Sequence, residues 1–148
     1  DGNTDDGDGC SATCVLEPTD SASIDDASAI NISFMGALDD TDYVWERPLE
    51  SCNYSSFSTY TVYTDFYEVT NNTAEEVTVN AAVAGDFDEY LHAYSSMAIL
   101  ENTNCVTGND DAGVGSEVDV TIAPGASMYF LVSSWSSLTS GTYTFTVE

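Results

Sequence analysis

Val118, Val120 and Ile122 alternate with Glu117, Asp119 and Thr121, and this period of two recurs along the chain. Successive side chains of a strand point to opposite faces, so each such run has one apolar and one polar face. Ile30, Ile32 and Phe34 alternate with Asn31 and Ser33, Val77, Val79, Ala81 and Val83 repeat the device, and Tyr143, Phe145 and Val147 alternate with Thr142, Thr144 and Thr146. Clusters of Gly, Pro, Asn and Asp separate the runs, and nowhere do apolar residues keep helical spacing for three turns. The stretch from Met128 to Val132 is apolar throughout and reads as a central strand covered on both sides. Between Thr59 and Val69 both alternating sets carry aromatics, Tyr60 and Phe66 in one and Tyr63 and Tyr67 in the other, so one face is expected to meet a partner. With 148 residues, 43% of them hydrophobic, the chain has material for one core. The pattern predicts an all-β, two-sheet antiparallel sandwich or jelly roll of about eight strands.

Residues 1–26 depart from this pattern. They are built from Asp, Gly, Ser and Thr, with Val15, Leu16 and Ile24 as the substantial aliphatic points, and cannot form a core of their own. An irregular acidic arm over 1–26 and a sandwich over 27–148 are expected. The whole chain carries 26 Asp and Glu against one Arg, Arg47, and no Lys, for a formal charge of -25. Such a surface repels phosphate backbones, which excludes nucleic-acid binding, and offers no polybasic patch to anionic lipid. No run of about 18 apolar residues exists to insert in a membrane. The chain starts at Asp1 without a leader and reads as a processed chain whose export signal has gone.

Four cysteines, Cys10, Cys14, Cys52 and Cys105, in a chain of extracellular composition favour disulfides over zinc, since one histidine and one close cysteine pair do not make a tetrahedral site. Three connectivities are open; the favoured one joins Cys10 to Cys14 and lets Cys52 and Cys105 close a long loop worth about 4 kcal/mol. The run from Asp1 to Gly9 places Asp1, Asn3, Asp5 and Asp8 among glycines, oxygen ligands on a backbone able to wrap a hard cation. Ala12 stands where an EF-hand needs its last acidic ligand, so that motif is rejected. A second oxygen cluster joins Asp86 and Asp88 to Asn109, Asp110 and Asp111 if their loops share one end of the sandwich. Calcium is the cofactor both clusters predict. Asn31, Asn53 and Asn71 open N-x-S/T sequons and are read as surface markers. His92 is the one candidate general base, yet no serine motif or orienting carboxylate accompanies it, and it reads as a packed strand residue. Trp45 and Trp135 could stack on sugar rings, but most aromatics belong in the core.

Two stretches resemble known families. Asp1-Gly2-Asn3 followed by Gly7-Asp8-Gly9-Cys10-Ser11-Ala12-Thr13-Cys14 is similar to the second half of a cysteine-rich Asp/Gly repeat of bacterial surface proteins. Residues 60–148 resemble the pre-peptidase C-terminal domain through Asp88-x-Tyr90-Leu91, Asn109-Asp110-Asp111-Ala112-Gly113, Pro124-Gly125 before Met128-Tyr129-Phe130-Leu131-Val132, and Gly141-Thr142-Tyr143-Thr144-Phe145. That resemblance implies a secreted, non-catalytic β-sandwich appendage, some members of which bind calcium or extracellular polymers. The expected function is therefore non-enzymatic: a cell-surface assembly module, a filament or layer subunit that self-associates through the arm or a sheet edge. The alternative is an accessory domain that binds extracellular polysaccharide or protein for a secreted enzyme or adhesin.

Overall fold

The computed structural model describes residues 17–47, 50–51, 54–55, 60–96, 104–110 and 115–148. Its strands are β1 (Asp20–Ile24), β2 (Ile32–Leu38), β3 (Tyr43–Arg47), β4 (Glu50–Ser51), β5 (Tyr54–Ser55), β6 (Tyr60–Asn71), β7 (Val77–Gly85), β8 (Glu89–Tyr94), β9 (Cys105–Asn109), β10 (Ser116–Ile122), β11 (Ser127–Ser134) and β12 (Gly141–Val147). No α-helix occurs among the described residues.

A six-stranded sheet runs β1-β6-β11-β8-β9, with β3 also on β6, and faces a four-stranded sheet ordered β10-β7-β12-β2; β4 and β5 form a separate hairpin. At twelve residues β6 is long enough to carry two neighbours end to end along one side. Tyr60–Thr64 pair antiparallel with β3, and Tyr67–Asn71 pair with β1, which runs parallel to β6. Among the described strands this parallel pair is the one exception to the antiparallel pairing predicted from sequence. It also draws residues 20–24 out of the expected arm and into the sandwich, where Ile24 is buried.

The main core lies between the sheets. Val69, Leu91, Ala93, Phe130 and Val132 meet Val79, Val83, Val120, Phe145 and Val147 there. The reverse face of the six-stranded sheet carries a second cluster of Trp45, Val62, Phe66, Tyr94 and Leu131. Burial on both faces is the reason Met128–Val132 is apolar without alternation and β6 carries aromatics in both sets. The outward aromatic face of β6 is thus occupied within the chain.

A turn and a buried side chain fix the connection between the sheets. Ala123-Pro124-Gly125-Ala126 is a tight turn closed by the Ala126 N–H on the Ala123 carbonyl at 3.1 Å, with Gly125 at φ 70°. Proline presets the second position of a type II turn and glycine tolerates the positive φ of the third. Beside it Asn71 is fully buried: its amide donates to the carbonyls of Glu75 (2.8 Å) and Ile122 (2.9 Å), and its oxygen accepts from the N–H and hydroxyl of Thr73 (2.9 and 2.7 Å). Asn71 is therefore a structural clamp, a correction to its reading as a surface sequon. Asn31 is exposed, and Asn53 lies outside the described residues.

Candidate functional site

Both basic side chains of the sequence are interior. Arg47 is 2% exposed and His92 0%. On β3 the alternation Tyr43, Trp45, Arg47 puts the guanidinium on the face of the second cluster. There its carbon lies 4.8 Å from the Trp135 ring centroid, 4.9 Å from that of Tyr90 and 5.2 Å from that of Tyr60. It also donates to the carbonyls of Ser134 (3.3 Å) and Trp135 (2.8 Å). Ring faces attract a cation, and a guanidinium stacks where an ammonium would not, so this cage favours arginine. His92 stacks on Tyr90 at 4.1 Å and meets the edge of Trp45 at 5.5 Å. Burial, and then Arg47, hold its pKa well below the ordinary histidine value, so it stays neutral and packed. The exposed surface of the whole chain consequently offers carboxylates and no basic side chain.

A second polar group bridges the sheets. Tyr143 on β12 donates its hydroxyl to Asp65 on β6 and lies 2.6 Å from the Tyr67 hydroxyl, while the Thr19 hydroxyl donates to Asp65 at 3.1 Å. Burial raises the pKa of Asp65, opposed by these hydrogen bonds, and pushes Tyr67 up to about 12. Gly36 makes room for the arrangement, since a Cβ there would sit 2.4 Å from the Tyr143 hydroxyl and 2.8 Å from that of Tyr67. Nearby, burial raises Asp42 to about 6, although it accepts the Asp39 N–H at 2.6 Å. These groups tie elements together, and Gly36 and Tyr143 also line an open concavity of about 550 Å³ with Met35, Gly85, Asp86 and Thr142.

Among the described residues the most exposed large apolar side chain is Met35, at 89%, in the middle of β2. This strand is the last of the four-stranded sheet, paired through β12. The ladder shows which of its backbone groups are unused. Asn80 and Glu148 exchange hydrogen bonds at 2.9 Å each, and the Asp86 N–H donates to Thr142 at 3.1 Å. Even-numbered residues of β12 thus bond to β7, leaving Gly141, Tyr143, Phe145 and Val147 to bond Leu38, Gly36, Phe34 and Ile32 of β2. The N–H and C=O groups of Ser33, Met35 and Ala37 point the other way, and among the described residues no hydrogen bond reaches them. From Ala27 to Leu38 no residue is charged, whereas Asp25 and Asp26 precede and Asp39, Asp40 and Asp42 follow.

Of the residues proposed for calcium, Asp1, Asn3, Asp5, Asp8 and Asp111 lie outside the described residues, as do Cys10, Cys14 and Cys52 and the resemblance to a cysteine-rich repeat. Asp86 accepts the Thr142 N–H at 2.7 Å, and the Asn109 amide donates to the Glu117 carbonyl at 3.0 Å. Asp88 is exposed, and its carbonyl accepts the Trp135 N–H at 2.7 Å. Asp110 is half-buried in the turn after β9, the strand that Cys105 opens. Among the described residues no three acidic, histidine or cysteine side chains converge as a metal site. Trp45 is buried and Trp135 caps Arg47, so neither forms an exposed sugar platform. Sequence reasoning missed Arg47 as an interior residue and the open edge of β2. Alternation with Tyr43 and Trp45 carried a signal for the first; the second depends on strand order.

This arrangement is a two-sheet β-sandwich whose fold is like that of a pre-peptidase C-terminal domain. The structure is similar to the pre-peptidase C-terminal domain of a collagenase from Bacillus anthracis, with 14% identity, a TM-score of 0.52, and 87% of this chain and 93% of that one covered. It is also similar to PliG of Aeromonas hydrophila, a periplasmic inhibitor of g-type lysozyme, with 12% identity, a TM-score of 0.50, and 87% and 97% covered. No family model and no curated protein sequence matches the chain.

Proposed function

We propose that this chain is a non-catalytic recognition module of the extracellular or periplasmic space, binding a cationic macromolecular partner. The observation that carries the reading is the surface: -25 of formal charge, with the one Arg and the one His both enclosed. Charge of one sign across a whole surface steers oppositely charged partners and repels copies of itself. The two structural neighbours, an appendage of a collagenase and an inhibitor of a lysozyme, support an accessory role. A basic protein fits better than a polysaccharide, because among the described residues no aromatic stands with the large exposed apolar side chains Met35, Val44, Val106 and Leu138. Calcium enters as a counter-ion to this surface and as the proposed ligand of the Asp/Gly run near the amino terminus. The disulfide between Cys52 and Cys105 belongs to the same reading of an exported protein.

The test is calorimetric titration against g-type lysozyme and against basic proteins of matched charge, at several salt concentrations. Saturable one-to-one binding to one of them that weakens steeply with salt is expected. Equal, non-saturable uptake of all of them, or none at low salt, overturns the reading. The second reading, an assembly subunit, is favoured by one observation, the uncharged open edge of β2. Filaments or layers of the purified chain in negative stain at millimolar calcium would establish it in place of the first.

A further inference from the structure

Sheet edges are normally blunted by charge, proline, bulges or cover, because an open row of backbone groups invites another strand. Four edge strands carry such a device: β1 opens on the exposed Asp20, β10 has Glu117 and Asp119, β3 has Glu46, and β9 is bulged where it pairs with Ala93 and Tyr94. Strand β2 has none. Its seven residues contain no charge and no proline, and its exposed side chains are Ser33, Met35 and Ala37. In a chain with 26 acidic residues, the stretch of twelve from Ala27 to Leu38 is clear of them, and aspartates stand at both ends.

Resting on the recognition role above, we infer that β2 is the docking edge, and that its occupant is an extended segment of a basic partner: an uncharged, alternating core flanked on both sides by Lys or Arg. The main-chain groups of Ser33, Met35 and Ala37 supply three donors and three acceptors to the incoming strand. Met35 offers an apolar contact on the outer face. The aspartates at the two ends select the flanks by charge, as steering and register both require. Charge complementarity excludes a second copy as the favoured occupant, since β2 paired with itself sets the acidic group at one end of each strand against that at the other end of its copy.

The test is hydrogen exchange of the full chain with a synthetic peptide of alternating Thr and Val capped by a lysine pair at each end. A peptide of the same core with glutamate caps serves as control, and g-type lysozyme is titrated in parallel. In the unbound protein the amides of Ser33, Met35 and Ala37 exchange fast and those of Phe34 and Gly36 slowly; the lysine-capped peptide should protect the first set. Met35→Pro removes an N–H that faces the open edge and none that serves β12, so the fold persists while peptide binding weakens about tenfold. Met35→Lys, which keeps every backbone group and adds a repelling charge, should weaken it too. Equal protection by the glutamate-capped peptide overturns the charge rule. Lysozyme binding that neither protects these amides nor responds to Met35→Pro overturns the edge and leaves the recognition role standing. Loss of all binding overturns both. Protection that grows with protein concentration in the absence of peptide assigns the edge to a second copy and overturns the stated occupant.

Discussion

Asn71 shows at the residue scale how a polar side chain becomes indispensable: four hydrogen bonds leave its amide fully used inside the joint between β6, β7 and β10. Asn71→Ala strands two carbonyls, and a loss of about 2–4 kcal/mol in denaturant unfolding is expected. Gly36→Ala should cost about 2 kcal/mol or more, because the new methyl displaces Tyr143 from Asp65 and Tyr67. The acids give the molecule an unusual response to pH. Asp42 binds its proton at about 6 when folded and near 3.8 when unfolded, so between those values the folded state holds more protons. Stability then falls as pH rises through that window, and Asp65, raised by burial, acts with the same sign. Thermal unfolding should move to higher temperature as pH drops from 7 to 5. Asp42→Asn keeps an acceptor for the Asp39 N–H and should flatten that rise while adding on the order of 1 kcal/mol at pH 7, solvent screening included. An unfolding temperature that falls over this range would contradict the assignment.

At the scale of elements, what was legible depended on whether side chains or main chain do the organising. Strands β2, β7, β10 and β12 bury one face, so period-two alternation announces them, and β11 betrays its central place by lacking alternation. Strand β1, Asp20-Ser21-Ala22-Ser23-Ile24, is held to β6 by its main chain and buries only Ile24, so its composition reads as an arm. Arg47 shares a face with Tyr43 and Trp45, and the alternation was readable, but a lone cation in an acidic chain is expected at the surface. The open edge of β2 was hidden for a different reason: which strand ends a sheet is decided by crossovers between distant segments. That the stretch from Ala27 to Leu38 carries no charge was visible, and gains meaning only once the strand order β10-β7-β12-β2 is known.

For the molecule as a whole, charge sets the terms of stability and of company. With -25 on 148 residues and its two basic side chains enclosed, the folded state gains from anything that screens carboxylates. At about 10 mM salt the screening length is roughly 30 Å, larger than the domain's radius, and every surface acid repels every other. Near 1 M it is about 3 Å, and only neighbours interact. Unfolding temperature should therefore climb with sodium chloride over this range, while the affinity for a basic partner falls, two opposite responses from one cause. Calcium separates screening from binding. At matched ionic strength a pure counter-ion adds little beyond sodium, whereas a site with a dissociation constant of about 0.1–1 mM adds about 1.4–2.7 kcal/mol at 10 mM free ion. No group of three acidic, histidine or cysteine side chains that could hold a metal exists among the described residues, so such an excess would point first to the carboxylates outside them, the Asp/Gly run at the amino terminus and the loop through Asp111 foremost. Replacing Asp1, Asp5 and Asp8 together by Asn should abolish the excess if the first holds the ion and spare it if the second does. Identical curves in calcium and sodium for the unaltered chain would remove calcium as a ligand and leave it as one screening cation among others.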